Sequence, residues 1–111
     1  IREGKRPYIT GDGEQRRDML HVLDAVSANT FCMNYEKAFG GRKFDTATGK
    51  NISLNEIREI VRQYHPDVVF DRVPERKGDV RETMAVTWPL KELGWLAEVE
   101  IKVGIHSCFN F

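Results

Sequence analysis

Two short cationic segments carry the residues best suited to bind an anion. Arg17 and Asp18 end the glycine-framed stretch GDGEQRRD, which leads into an alternating apolar run. Arg76 lies in ERKGDVR, where Gly78 frees the backbone and Asp79 is placed to orient a guanidinium. Guanidinium groups suit phosphate oxygens because two parallel N–H donors match their geometry. Taken alone, this pattern does not distinguish a phosphate site from charged loops in contact with solvent.

Several enzyme signatures are absent from the sequence. GDGEQR departs from the dinucleotide pattern G-x-G-x-x-G at Arg16, and it leads into a predicted strand instead of a helix. TGKN, residues 48–51, lacks the upstream glycine of a phosphate loop, and no tyrosine is followed four residues later by a lysine. The three histidines are scattered, and there is no Cys-x-x-Cys motif. The sequence therefore predicts no catalytic residue, no cofactor-binding residue and no metal ligand in this chain.

The composition predicts a single globular domain over residues 1–111. Hydrophobic residues make up 41% and charged residues 31%, and 17 basic residues balance 17 acidic ones. The neutral total disfavours a generally basic nucleic-acid binder, and no apolar run is long enough to cross a membrane. Cys32 and Cys108 are expected to be reduced core thiols of a cytoplasmic protein, with one disulfide as the alternative. Because the chain opens with Ile1 and charged residues, we expect no signal peptide and a piece of something longer.

Four segments have the composition and alternation of strands. They are residues 6–10 (RPYIT), 17–22 (RDMLHV), 43–48 (KFDTAT) and 67–73 (DVVFDRV). The last segment is a continuous apolar run, which predicts burial on both faces. Strands that alternate with helices imply an α/β domain with some parallel pairing, with α+β as the alternative. The expected architecture is a small mixed sheet with flanking helices.

Helices are predicted between and after these strands. The first has Asp24 as its N-cap and ends at the glycine pair 40–41. Ser53 and Glu56 form a capping box for the second, which ends at residues 65–66. Further helices are expected around PLKELGW and in the tail, where apolar residues recur at helical spacing: Ile101, Ile105, Cys108 and Phe109.

Four longer stretches follow one another along the chain: GDGEQRRDMLHVLDAV, FDTATGKNISLNEI, ERKGDVRETMA and KELGW. In this order they resemble the C-terminal part of the extended short-chain dehydrogenase/reductase family. Within it they are most similar to the NAD-dependent nucleotide-sugar epimerases and dehydratases of the UDP-glucose 4-epimerase type. The resemblance covers about residues 3–109. It implies the fold of the family's C-terminal substrate domain, with the NAD-binding Rossmann half absent from this chain.

The resemblance also implies roles for the candidate site residues. In the family, the C-terminal part closes over the nucleotide diphosphate of the substrate, and Arg17 matches the arginine that grips this diphosphate. Arg76 matches a second phosphate-binding arginine, and Asp79 matches an aspartate near the ribose. The nucleobase is implied to lie along the segment Tyr8, Ile9 and Thr10.

The first hypothesis is a substrate-binding domain of an NAD-dependent nucleotide-sugar epimerase or dehydratase. It would be inert alone, because NAD and the proton-transfer residues belong to the missing part of the family enzyme. Its expected partners are a nucleotide-diphosphate sugar and either a missing NAD-binding chain or a second copy, with no nucleic acid and no membrane. The second hypothesis is a non-enzymatic, stand-alone binding or self-assembling module derived from that domain. A third is nucleic-acid binding through a local cationic patch: Arg16, Arg17, Arg42 and Lys43.

Overall fold

The computed structural model describes Ile1 and residues 3–110, in which short strands alternate with helices. The strands are β1 (Tyr8–Thr10), β2 (Arg16–Arg17), β3 (Ile52–Ser53) and β4 (Asp71–Val73). The helices are α1 (Val22–Asn34), α2 (Leu54–Tyr64), α3 (Trp88–Glu92) and α4 (Ile101–Ser107). None of these described helices is long and apolar enough to cross a membrane.

The strands form two separate pairs. β1 pairs with β4 in parallel, with Ile9 opposite Arg72, whereas β2 and β3 are antiparallel, with Arg16 opposite Ser53. Arg16 also forms a parallel bridge with Glu82, so the segment around Glu82 extends the pairing of β2. The arrangement confirms the small mixed α/β fold with flanking helices, and the parallel pairing, that the sequence predicts.

The capping box at the start of α2 forms as predicted. Ser53 Oγ accepts a hydrogen bond from the Glu56 N–H, and the Glu56 carboxylate accepts one from the Ser53 N–H. This second bond lowers the pKa of Glu56. The helix ends at Tyr64, with His65 as its C-cap just before Pro66. Both ends of α2 are set by neighbouring residues in the chain, which is why the sequence locates them.

The first helix differs from its prediction at both ends. α1 is capped by His21, so the expected N-cap at Asp24 is wrong. Asp24 lies buried in the first turn of α1, where its carboxylate accepts hydrogen bonds from the backbone N–H groups of Glu98 and Val99. This tertiary contact takes the carboxylate away from the helix end. α1 stops at Asn34, ahead of the glycine pair expected to end it.

The predicted strand RDMLHV is wrong beyond its first residue. β2 ends at Arg17, because the Asp18 carboxylate accepts hydrogen bonds from the backbone N–H groups of Thr48 and Gly49, at 3.0 and 2.9 Å. A side chain therefore satisfies the backbone here in place of a strand ladder. The predicted strand KFDTAT, whose last residue is Thr48, is absent from the structure.

The strand predicted over residues 67–73 is shortened to β4. Asp71 and Arg72 are exposed and Val73 is half-buried, so the expected burial on both faces is wrong. Val69, ahead of β4, is also exposed. β4 pairs with β1 alone, so it is not the central strand of a parallel sheet for which burial on both faces was expected.

The apolar core is thin for a chain of this length. Ala28, Leu90 and Trp95 form its centre, which joins α1 to α3 and to the residues that follow α3. The radius of gyration is 16.7 Å, whereas a compact domain of this length has about 13 Å. Cys32 and Cys108 are free, as expected, but Cys32 is only half-buried and Cys108 is exposed. Cys32 packs against the core centre, so the predicted position in the core is wrong for Cys108 only.

Gly13, in the turn between β1 and β2, tolerates no side chain. Its φ is 78°, and an added Cβ would collide with Asn55 and lie 2.9 Å from Ile9 Cγ2. We expect Gly13→Ala to lower the free energy of unfolding by about 1–3 kcal/mol, measured by urea denaturation. Gly40→Ala is the control, because Gly40 has a φ of 60° but no atom within 4 Å of an added Cβ. Equal losses in the two variants would contradict a requirement set by the contact with Asn55.

Candidate functional site

The turn between β1 and β2 is held by hydrogen bonds around Asn55. The Asn55 N–H donates to the Gly13 carbonyl at 3.0 Å, and the Asn55 side-chain amide donates to the Asp12 carbonyl at 2.9 Å and to the Glu14 carboxylate. Asn55 Oδ1 accepts a hydrogen bond from Arg72 at 2.9 Å. Because α2 and β4 both hold the turn in this way, they fix the place where β2 begins.

Arg81 ties the same turn to β2. Its two terminal nitrogens donate to the two carboxylate oxygens of Asp12, at 2.8 and 2.9 Å. The Arg81 side chain lowers the pKa of Asp12 from 3.8 to about 2, and a hydrogen bond from the Glu14 N–H adds to the effect. The Arg81 carbonyl accepts a hydrogen bond from the Arg16 N–H at 2.9 Å. The residue therefore holds both the turn and the strand that follows it.

Arg16 and Arg17 have different partners, since successive side chains of a strand point to opposite faces. Arg16 donates to Asn51 Oδ1 at 2.9 Å and to the Asn51 carbonyl at 3.0 Å. Its third nitrogen pairs with Glu56 at 2.9 Å. Each nitrogen of the Arg16 guanidinium thus contacts the region where β3 meets α2. Arg16 is a structural residue, and Arg17 is the cation that faces Asp79.

The Arg17 guanidinium is fixed in place but not saturated. Its Nη2 lies 2.6 Å from Asp79 Oδ1, and its Nη1 donates to the Arg16 carbonyl at 2.8 Å. The side chains of Arg17 and Asp79 are 27% and 20% exposed, so the pair is mostly shielded from solvent. A guanidinium has five N–H donors, and only two of those of Arg17 have partners among the described residues. The guanidinium therefore keeps N–H donors that have no partner among the described residues.

Gln15 fills the space between the end of β1 and Asp79. It is 5% exposed, and its Nε2 donates to the Thr10 carbonyl at 2.9 Å and lies 3.3 Å from Asp79 Oδ2. The sequence analysis missed this residue, because one glutamine in a turn has no spacing signal of its own. The signal that could have found it is its place two residues before Arg17, since extended backbone leading into β2 would turn the two side chains to the same side.

Asp79 contacts both Arg17 and Arg76, the first through its side chain and the second through its backbone. Its N–H donates to the Arg76 carbonyl at 3.1 Å, so Arg76 begins the turn that ends at Asp79. The Arg76 side chain is exposed and, within residues 3–110, takes part in no ion pair. Glu75 lies against Gly11, since a Cβ added to Gly11 would be 3.3 Å from Glu75 Cβ. The structure therefore brings the Arg76 turn to the same end of β1 as Arg17.

The three β1 residues offer different surfaces to a ligand. Tyr8 is exposed, whereas Ile9 and Thr10 are buried. Tyr8 therefore presents its ring to solvent, whereas the side chains of Ile9 and Thr10 are enclosed, and the Thr10 carbonyl accepts the hydrogen bond from Gln15. In the described part of the chain, no cluster of histidine, cysteine or acidic side chains could hold a metal ion.

Two glycine-containing segments, the turn at Gly11 and TGKN, do not fit NAD. The turn at Gly11 leads into β2 and not into a helix, and the Gly11 N–H already donates to the Val73 carbonyl at 2.9 Å. In TGKN, the N–H groups of Thr48 and Gly49 are bound by Asp18. The backbone donors that a dinucleotide pyrophosphate would need are thus engaged within the chain.

Comparisons with known proteins agree with this description. The model of the NAD dependent epimerase/dehydratase family matches residues 1–47. The UDP-glucose 4-epimerase of Dictyostelium discoideum is 33% identical over 106 residues, a match that covers 85% of this chain and 31% of that protein. The crystal structure of UDP-glucose 4-epimerase with UDP-glucose from Thermotoga maritima is similar with a TM-score of 0.82 at 31% identity, over 93% of this chain and 33% of that one. MoeE5 in complex with UDP-glucuronic acid and NAD has a TM-score of 0.86 at 28% identity, over 94% of this chain and 35% of its own.

The fold is that of the extended short-chain dehydrogenases/reductases, in the region matched by this chain. The chain belongs to the NAD-dependent epimerase/dehydratase family, as the resemblance of its sequence implies. It spans about a third of the length of the curated relatives that it matches.

The Asp12–Arg81 contact predicts a dependence of stability on pH. Because folding lowers the pKa of Asp12 to about 2 from 3.8, its stabilising effect is present above pH 3.8 and is lost as the pH falls towards 2. In Arg81→Gln we expect the Asp12 pKa to return towards 3.8, as followed by carboxyl-carbon NMR. Arg62→Gln removes a similar exposed cation that pairs with Glu59 and should leave the Asp12 pKa unchanged. An Asp12 pKa that is the same with and without Arg81 would contradict this assignment.

Proposed function

We propose that this chain is the substrate-binding domain of an NAD-dependent nucleotide-sugar epimerase or dehydratase, with residues 1–111 as one domain. Its ligand is a nucleotide-diphosphate sugar, and Arg17 and Arg76 bind the diphosphate. Two similar structures support this ligand class, because one is a complex with UDP-glucose and the other a complex with UDP-glucuronic acid. The observation that carries the proposal is the contact of Arg17 with Asp79, which links two segments far apart in sequence.

The geometry around Arg17 is that of a cation prepared for an oxyanion. The Asp79 carboxylate and the Arg16 carbonyl hold the two terminal nitrogens, so the side chain has lost most of its rotamer freedom before a ligand arrives. The free N–H donors can then bind phosphate oxygens, and partial burial strengthens such a charge-assisted bond relative to one in bulk water.

Arg76 supplies the positive charge that the ion pair with Asp79 offsets on Arg17. Arg17 is largely neutralised by Asp79, whereas Arg76 has no ion-pair partner among the described residues. A diphosphate carries more than one negative charge, so one fixed guanidinium and one unpaired guanidinium at the end of β1 suit it better than either alone. Asp79 would lie near the ribose, and the exposed ring of Tyr8 would lie along the nucleobase, with the backbone of Ile9 and Thr10 beside it.

The domain has no catalytic activity by itself under this proposal. Hydride transfer needs NAD held against the sugar, and the turn at Gly11 and TGKN do not fit NAD. Tyr8, Tyr35 and Tyr64 are followed four residues later by aspartate, phenylalanine and valine, so the Tyr-x-x-x-Lys pair of the family has no counterpart here. NAD and the proton-transfer residues would come from the family's NAD-binding part, and this chain would bind the nucleotide.

Substitution of Arg17 tests the proposed diphosphate site. We expect Arg17→Ala to raise the dissociation constant of UDP about tenfold or more, because one charge-assisted hydrogen bond to phosphate contributes about 1.5–3 kcal/mol. Isothermal titration calorimetry measures the effect. Arg62→Ala removes one positive charge from an exposed position on α2 and should leave the dissociation constant unchanged. A UDP affinity that is the same in Arg17→Ala and in the unsubstituted chain would remove Arg17 from the site.

A self-assembling module is the second candidate function, favoured by the exposed apolar face of α1. Leu23, Val26 and Leu96 are each more than half exposed, and they border a hollow of about 900 Å³ together with Phe31 and Trp95. Contiguous apolar surface of this kind marks an interaction site. In the isolated chain, a second copy is the occupant that this hypothesis commits to. In the first hypothesis the same face would contact the NAD-binding part.

The oligomeric state tests the second candidate. If α1 mediates self-assembly, sedimentation velocity should show species larger than the 12.8 kDa chain. The double substitution Leu23→Lys and Val26→Lys should then restore a monomer, because it places two charges on the apolar face. Val103→Lys changes an exposed apolar residue of α4 and should have no effect on association. A chain that is strictly monomeric and still binds UDP would contradict self-assembly and leave the first candidate standing.

A further inference from the structure

We propose that Gln15 is a positioning residue of the nucleotide-sugar site: it holds the Asp79 carboxylate and, through Asp79, fixes the guanidinium of Arg17. This inference rests on the function proposed above and adds to it a residue that the family resemblance did not assign. Gln15 does not contact the diphosphate itself. Its role is to limit the positions that Asp79 can take.

The orientation of the Gln15 amide is fixed by its neighbours. Its Nε2 lies 2.9 Å from the Thr10 carbonyl oxygen, 3.0 Å from Thr10 Oγ1 and 3.3 Å from Asp79 Oδ2. A backbone carbonyl and a carboxylate only accept hydrogen bonds, so the group that faces them must be the NH₂ and not the amide oxygen. Gln15 therefore links the end of β1 to Asp79 in one defined orientation.

The amide oxygen of Gln15 is energetically unfavourable where it lies. Gln15 Oε1 is buried and has no hydrogen-bond partner in residues 3–110. An unpaired buried acceptor destabilises a fold, and an unbranched apolar side chain of similar length would avoid that loss. The hydrogen bonds at Nε2 are thus what a glutamine provides here that an apolar residue does not.

The consequence for Arg17 follows from the two oxygens of Asp79. Oδ1 lies 2.6 Å from Arg17 Nη2, and Oδ2 lies within reach of Gln15. With both oxygens held, the carboxylate cannot rotate about its terminal bond without breaking a contact. Without Gln15, one oxygen is released, and both the carboxylate and the guanidinium gain alternative positions. Part of the binding energy for a diphosphate would then be used to order them again.

A double-mutant cycle separates this role from simple packing. We expect Gln15→Met to raise the dissociation constant of UDP about tenfold in the unsubstituted chain, and less than twofold when Asp79→Ala is already present. Under this proposal Gln15 acts on UDP binding through Asp79 and not through its contacts with Thr10, so its effect should vanish with the Asp79 side chain. A residue that merely supports the fold would weaken binding by the same factor in both backgrounds. Equal factors would overturn the proposal.

Two matched variants complete the experiment. Gln63→Met makes the same change at an exposed position of α2 and should leave UDP binding unaltered. Should Gln15→Met fail to fold, as judged by its thermal transition, Gln15→Asn takes its place in the cycle, because it keeps the amide and shortens its reach. If the unsubstituted chain does not bind UDP, the proposed function fails and the role of Gln15 fails with it. If the chain binds UDP and Gln15→Met has no effect, only the role of Gln15 is refuted.

Discussion

The carboxylate of Asp79 is the interaction on which the candidate site depends. It lies in a turn far along the chain from the strand that carries Arg17, and its contacts with Arg17 and Gln15 join the two segments. A carboxylate that is mostly removed from solvent needs such partners, because burial of an unpaired charge is costly. The requirement works in both directions. Asp79 is stabilised by the guanidinium, and the guanidinium is held in one orientation with donors left for a ligand.

The thin core explains why so much of this molecule is held by polar contacts. The apolar cluster of Ala28, Leu90 and Trp95 lies between α1 and α3, and the turn between β1 and β2 is held by hydrogen bonds of Asn55 and Arg81 in addition to the buried Ile9. The chain spans about a third of its relatives, and its radius of gyration exceeds that of a compact domain of equal length. An apolar helix such as α1, exposed on one side, is typical of a unit that packs against a further part.

Two features that depend on neighbouring residues were predicted correctly, whereas two carboxylates with distant partners were assigned wrong local roles. The capping box of α2 and the short α3 need only a few adjacent residues, so their sequence patterns suffice. Asp24 has the residue type of an N-cap, yet distant backbone N–H groups bind it, and α1 begins earlier. Asp18 likewise binds the backbone near Thr48 and ends β2. In each case the carboxylate accepts a hydrogen bond from a backbone N–H group far along the chain, and the residue does not take the role that its neighbours in the sequence predict.

The sequence by itself determined the family, the glycine turn and the two arginine segments, because these are carried by residue types in a fixed order. By residue type alone it could not separate Arg16 from Arg17, since the two are chemically equal and adjacent, and only the resemblance to the family singled out Arg17. Tertiary structure decided between them: one side of β2 meets Asn51 and Glu56, and the other meets Asp79. It also added Gln15, whose importance comes from burial beside a carboxylate many residues away. The physical reason is that a donor's role is set by the acceptors around it, and folding alone assembles those acceptors.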